Sequence, residues 1–114
     1  MSDCIFCKII EGVIPSTKVF EDDFVLAFRD IEPQAPEHII IIPKEHISSA
    51  NDICAENESI IGKIFSVAAK LAEDLGFAKN GYRIVNNCGE HGGQTVPHLH
   101  FHLLAGRSLQ WPPG

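Results

Sequence analysis

The segment His38-Ile39-Ile40-Ile41-Ile42-Pro43 constrains the fold more than any other. Four consecutive isoleucines leave no polar face, so as a strand the run must be covered on both sides of its sheet. The flanking segments supply both neighbours and a cover. Lys18-Val19-Phe20-Glu21, the acidic turn Asp22-Asp23 and Phe24 to Phe28 read as a hairpin, and Asp30 to Pro36, with two prolines, reads as a loop. From Asn57 to Leu75 the period becomes helical: Ile60, Ile64, Ala68, Leu71 and Leu75 form a stripe that Ile61, Phe65 and Ala72 widen, with Gly76 as the stop. Cys4 to Glu11 is one or two helical turns ended by Gly12 and Pro15. Tyr82 to Asn87 reads as a strand with Arg83 exposed, Asn86 to Gly93 as a loop, and His98 to Leu104 as the last strand. The expected class is α+β, an antiparallel sheet of about five strands with one long helix on a face and a short N-terminal helix.

A chain of 114 residues with 45% hydrophobic content can build one core without disulfides and not two, so a single domain over 1–114 is expected. The longest wholly apolar run, Ile39 to Pro43, is far short of the ~20 residues that span a bilayer. The start, Met1-Ser2-Asp3-Cys4, lacks the basic and apolar regions of a signal peptide. A cytoplasmic location is therefore expected, in which the four cysteines stay reduced. Fifteen acidic residues against nine basic ones, a net charge of -6, leave no cationic footprint for nucleic acid or an anionic membrane. Any phosphate must be held locally, by backbone amides and a few side chains.

The chemistry concentrates in Val96-Pro97-His98-Leu99-His100-Phe101-His102-Leu103-Leu104. Alternation along a strand puts His98, His100 and His102 on one face and Leu99, Phe101 and Leu103 on the other. Burying three imidazoles without partners is costly, so the array points to function. Two chemistries suit it. The imidazoles can ligate a catalytic metal, or one can act as a nucleophile whose neighbours fix its tautomer and charge. Just upstream, Asn87-Cys88-Gly89-Glu90-His91-Gly92-Gly93-Gln94-Thr95 offers close backbone approach at its glycines and side-chain donors at Asn87, Gln94 and Thr95. Beside three histidines it reads as a phosphate cradle.

At these residues the sequence resembles the histidine triad (HIT) family, whose signature His-φ-His-φ-His-φ-φ (φ apolar) is matched at every position from His98 to Leu104. The resemblance runs from Cys4 to the end. Gly92-Gly93-Gln94-Thr95-Val96 and the tail Trp111-Pro112-Pro113-Gly114 bring it nearest to the Hint branch. It implies a HIT-like fold and a nucleotide hydrolase or nucleotidyl transferase acting at the α-phosphorus, typically on purine nucleoside phosphoramidates, where AMP or GMP is joined to an amine. By the same resemblance His100 is the nucleophile, His102 contacts the phosphate and His38 completes the imidazole network. Asn87, Gly93, Gln94 and Thr95 hold phosphate and ribose, with Thr95 standing where serine is commoner and assisting the leaving nitrogen. Asp30 takes the ribose hydroxyls with Ile31 beside it, while Ile5, Phe6 and Phe28 wall the purine pocket. Relatives of this branch are homodimers built on the long helix, the Tyr82 to Asn87 strand and the tail. A P–N bond breaks easily once its nitrogen is protonated, so this chemistry requires no catalytic metal or organic cofactor.

Cys4-Ile5-Phe6-Cys7 lacks the βαβ context of a redox motif, and as a metal site it needs two more ligands from six histidines. The resemblance implies a structural zinc held by Cys4, Cys7, His46 and His98, a closed Cys2His2 shell with no position for substrate. His98 then faces the metal while His100 and His102 face the phosphate. Cys54 is expected to be a small core residue, Cys88 to sit accessibly in the active-site loop, and His91 to be solvated. Competing readings are dinucleoside polyphosphate hydrolysis within the family, a non-catalytic zinc-binding interaction protein, and a metalloenzyme using the histidines as ligands.

Overall fold

The computed structural model describes residues 3–114. The elements are α1 (Ile5–Ile10), β1 (Lys18–Glu21), β2 (Val25–Arg29), β3 (Glu37–Pro43), a 3-10 turn (Ala50–Asp52), α2 (Glu58–Leu75), β4 (Tyr82–Val85), α3 (Gly89–Gly92) and β5 (Phe101–Ala105). The strands form one antiparallel sheet in the order β1-β2-β3-β5-β4.

The isoleucine run is the centre of this sheet, and period-2 geometry divides it between two cores. Ile39 and Ile41 join Val25, Ala27, Leu99, Phe101, Leu103 and the α2 residues Ile64, Val67, Ala68 and Leu71 on one face. Ile40 and Ile42 join Leu26, Phe28 and the α1 residues Phe6 and Ile9 on the other. Each fully buried isoleucine contributes about 1.5–3 kcal/mol before conformational entropy is charged. The α2 face turned to the core is Ile64, Val67, Ala68, Leu71 and Ala72; of the expected stripe, Leu75 and Phe65 are exposed and Ile60 and Ile61 half-buried, while Val67 takes a core place the spacing did not name. Asn57 is the N-cap, and Gly76 ends the helix in the left-handed region at φ 88°. Among the described residues no helix is long and apolar enough to cross a membrane.

Several expected boundaries move. The last strand begins at Phe101 rather than His98, because the backbone ahead of it is held elsewhere: Leu99 N–H donates to Ile47 O at 2.6 Å, and the His100 carbonyl accepts from Asn86 Nδ2 at 2.9 Å. The alternation nevertheless persists through this stretch, with Leu99 in the α2 core and His100 under Phe6. The Tyr82 strand ends at Val85, and Arg83 is half-buried rather than exposed, its guanidinium donating to the Gln110 carbonyl at 2.8 Å. The expected Asn86 to Gly93 loop contains the single-turn helix α3. Cys54 is exposed, not in the core, because it lies ahead of the α2 N-terminus, outside the buried stripe.

Candidate active site and metal centre

β3 and β5 are adjacent, and the register sets His38 opposite Leu104 and Ile40 opposite His102. Even-numbered residues of both strands therefore share the α1 face, with His38 and His102 diagonal neighbours. Their rings meet with Nε2 of His38 2.8 Å from Nδ1 of His102. Phe6 of α1 lies over the array, edge-on to His100 at 5.1 Å, to His98 at 5.9 Å and to Phe28 at 5.7 Å between ring centroids.

Backbone partners determine three of the four tautomers in this array, and His38 passes the choice on to His102. A carbonyl only accepts and an N–H only donates, so each backbone contact assigns a ring nitrogen. His100 Nδ1 is 2.7 Å from the His98 carbonyl, so it carries the proton and leaves the Nε2 lone pair free. His38 Nδ1 accepts from Gln34 N–H at 3.0 Å, so in the neutral ring the proton is on Nε2 and is donated to His102 Nδ1. The neutral His102 ring then carries its own proton on Nε2. His98 Nε2 donates to the Pro43 carbonyl at 2.9 Å, leaving Nδ1 as a lone pair.

Burial lowers the pKa of His38, His98 and His102 and so favours their neutral forms. It lowers the His38 pKa against a smaller opposing pull from Asp30, whose Oδ2 is 3.4 Å from His38 Nε2. Burial, then the His100 and His38 charges, bring His102 down to about 4. His98 is fully buried, and its pKa is lowered chiefly for the same reason.

The free Nδ1 of His98 points at the cysteine pair, 3.3 Å from Cys4 Sγ and 3.6 Å from Cys7 Sγ, while His46 Nδ1 is 3.3 Å from Cys7 Sγ. All four ligand atoms lie within 4.8 Å of one another. Cys4 caps α1 and Cys7 follows one turn later, its N–H donating to Cys4 Sγ at 3.3 Å, so the helix brings both sulfurs to one side. These residues fit a tetrahedral Cys2His2 site, whose bonds of about 2.0–2.3 Å require ligand separations of this size. The Pro43 carbonyl is the outer partner that fixes the ligating tautomer of His98.

The loop expected to cradle phosphate is a folded unit. Gly93, at φ 81°, ends α3, with Asn87 Nδ2 donating to Gly92 O at 2.7 Å. Gln94 braces three segments: its Oε1 accepts from Gly89 N–H at 3.0 Å, and its Nε2 donates to Ser48 O at 2.8 Å and Val96 O at 3.0 Å. Gln94, Thr95, Gly93, Gly89, Glu90 and Pro97 line an open cavity of about 480 Å3, into whose rim the exposed Thr95 is set. Of the other expected site residues, Phe6 and Phe28 are buried, Asp30 is half-buried beside His38, and Ile5 and Ile31 are exposed. Cys88 is half-buried at the start of α3, and His91 is exposed. Sequence reasoning missed Gln34, Pro43, Ile47 and the His98 carbonyl, all of which act through backbone atoms that side-chain identity does not advertise.

Residues 11–109 match the HIT domain family. The chain is 54% identical over 107 residues, 94% of its length and 90% of the relative's, to the purine nucleoside phosphoramidase of Escherichia coli. Among solved structures, a HIT family hydrolase from Legionella pneumophila superposes with a TM-score of 0.96 at 52% identity, covering 98% of this chain and all of that one. A histidine triad protein from Clostridium difficile gives 0.94 at 53% identity, covering 96% of each chain. A match this long, centred on the histidines whose geometry is described above, shows that the chain belongs to the HIT family.

Proposed function

We propose that the chain is a hydrolase that cleaves the P–N bond of purine nucleoside 5′-phosphoramidates, of the AMP–amine type, through a covalent nucleotidyl-histidine. The observation that carries this reading is the His100 ring. Its Nδ1–H is spent on the His98 carbonyl, so Nε2 offers a lone pair without any base having to remove a proton. That lone pair attacks the α-phosphorus, the P–N bond breaks, and the departing nitrogen keeps the bonding pair and takes a proton, relayed from solvent through the Thr95 hydroxyl, as the free amine. A water oxygen then attacks the same phosphorus and gives up a proton to solvent, the P–His100 bond breaks with its electron pair returning to Nε2, and the nucleoside monophosphate leaves with the ring restored.

The surrounding groups take roles consistent with their positions. His102, kept neutral with its proton on Nε2, donates to a phosphate oxygen, and His38 holds that proton in place. The Thr95 hydroxyl assists protonation of the leaving nitrogen. Asp30 receives the ribose hydroxyls, and Ile5, Phe6, Phe28 and Ile31 contact the purine. Asn87, Gly93 and Gln94 maintain the loop against the phosphate. The Cys4, Cys7, His46 and His98 group would hold a zinc ion that ties α1 to the segment carrying His98. Its thiols must stay reduced to serve, which suits a cytoplasmic setting. The long helix, the strand from Tyr82 and the C-terminal tail form the interface of a homodimer.

Release of AMP from adenosine 5′-phosphoramidate by wild type and His100→Ala tests the reading. Turnover in the wild type that falls by at least ~10^4 in the variant is expected for a lost nucleophile. Equal, negligible release from both would overturn it.

A further inference from the structure

The His38–His102 hydrogen bond can run in either direction, and the heavy-atom positions are the same for both. With the proton on His38 Nε2, His102 presents an N–H to a phosphate oxygen. With the proton on His102 Nδ1, His102 presents a lone pair that repels it. Gln34 N–H, 3.0 Å from His38 Nδ1, breaks this tie. The donor lies in the loop between β2 and β3, so whatever holds that loop holds the tautomer.

The loop is held from the far end of β5, the strand that carries His102. Arg107 Nη2 donates to the Gln34 carbonyl at 2.9 Å, and its Nη1 donates to Ser108 O at 3.1 Å, which fixes the guanidinium in place. Beside it, Gly106 adopts φ 97° and packs so closely on Pro36 that a Cβ there would come within 2.7 Å of the proline ring. The loop adds its own braces, with Glu32 N–H on Asp30 Oδ1 at 2.8 Å and Gln34 Nε2 on Glu32 O at 3.0 Å. Gln34 is thus held at both backbone ends, by His38 at its N–H and by Arg107 at its carbonyl.

We infer that Arg107 is a positioning residue: by clamping the Gln34 carbonyl it keeps Gln34 N–H on His38, and so sets which nitrogen of His102 bears the proton. The kinetic consequence rests on the proposed phosphoramidase reading, whereas the ring assignment does not. Arg107 is exposed and touches this loop and Ser108 alone among its hydrogen-bond partners, so its removal leaves both cores intact.

Histidine-ring 15N spectra of the full chain, with parallel kinetics on adenosine 5′-phosphoramidate, test this on wild type, Arg107→Ala and Arg107→Lys. The wild-type spectrum should show His38 unprotonated at Nδ1 and protonated at Nε2. In Arg107→Ala the ring should average between tautomers, and kcat should fall roughly threefold to tenfold at constant KM, the span of one net hydrogen bond. Arg107→Lys, which can still donate to the Gln34 carbonyl, should restore both readouts. Gly106→Ala, which displaces the loop by a separate route, should shift the His38 spectrum as Arg107→Ala does. An Arg107→Ala spectrum identical to wild type at His38 would overturn the inference. A wild type without phosphoramidase activity would instead remove the proposed function and leave the spectra to decide this point.

Discussion

His38 donates its Nε2–H to Nδ1 of His102 across 2.8 Å, and neither ring is charged. The pair is neutral because burial penalises an imidazolium more than the nearby Asp30 carboxylate stabilises one. In the unfolded chain both rings regain an ordinary pKa of about 6.5.

That difference makes stability pH-dependent with a defined sign. Between about 6.5 and about 4 the unfolded His102 binds a proton that the folded one refuses, so the unfolded state gains as pH falls. The stabilisation is complete above about 6.5 and is lost as pH drops towards about 4. Urea midpoints measured at pH 7.5, 5.5 and 4.5 should decline in that order, and His102→Gln should flatten the decline. A midpoint as acid-sensitive in the variant as in the wild type would refute the assignment.

Phe6 is the other organiser of the site, a buried ring in edge contact with Phe28, His98 and His100. Phe6→Ala should cost about 3–5 kcal/mol by chemical denaturation, the usual range for a phenylalanine emptied from a core. AMP affinity should weaken as well, because the same ring fixes the tilt of His100. Phe6→Leu, which refills much of the volume, should recover most of the stability and less of the affinity.

Metal loading should be visible as proton release. Burial, followed by its bond with Cys4, pushes the Cys7 thiol up to about 11, so without metal it is protonated at neutral pH. A zinc ligand must be the thiolate. Titrating zinc into chelator-treated protein, by calorimetry in buffers of different ionisation enthalpy, should show at least one proton leaving per metal. Cys7→Ser should weaken binding, and a heat independent of buffer would contradict the site as described.

The proposed dimer follows from an uncovered face. Phe65 and Leu75 of α2 and Tyr82 of β4 are exposed large hydrophobics, and β4 is an edge strand with one row of backbone groups unpaired in the sheet. Sedimentation should give twice the 12.5 kDa chain mass, and Phe65→Glu should return it to the monomer value. A wild type that sediments as a monomer at tens of micromolar would exclude this interface.

Local periodicity accounts for what the sequence alone determined. Alternation fixes faces whatever the partner strand is, so the division of Ile39 to Ile42 between two cores, and the sorting of His100 from Leu99 and Phe101, could be read directly. The four-residue spacing of α2 and its glycine stop are equally local. Resemblance to a known family then named the chemistry at those positions. Tertiary structure alone decided which nitrogen of His38, His98 and His102 holds a proton, whereas the partner of His100 is the carbonyl two residues before it. Those choices depend on backbone groups distant in the chain, such as the Pro43 carbonyl on His98, 55 residues away. Others sit in loops with no periodicity, such as Gln34 N–H on His38. It also decided that the Gln94 amide braces three segments and that α3 interrupts the glycine-rich loop. The physical reason is common to all of these: every residue carries the same backbone acceptor and every residue but proline the same donor, so only the folded path of the chain says which side chain each one meets.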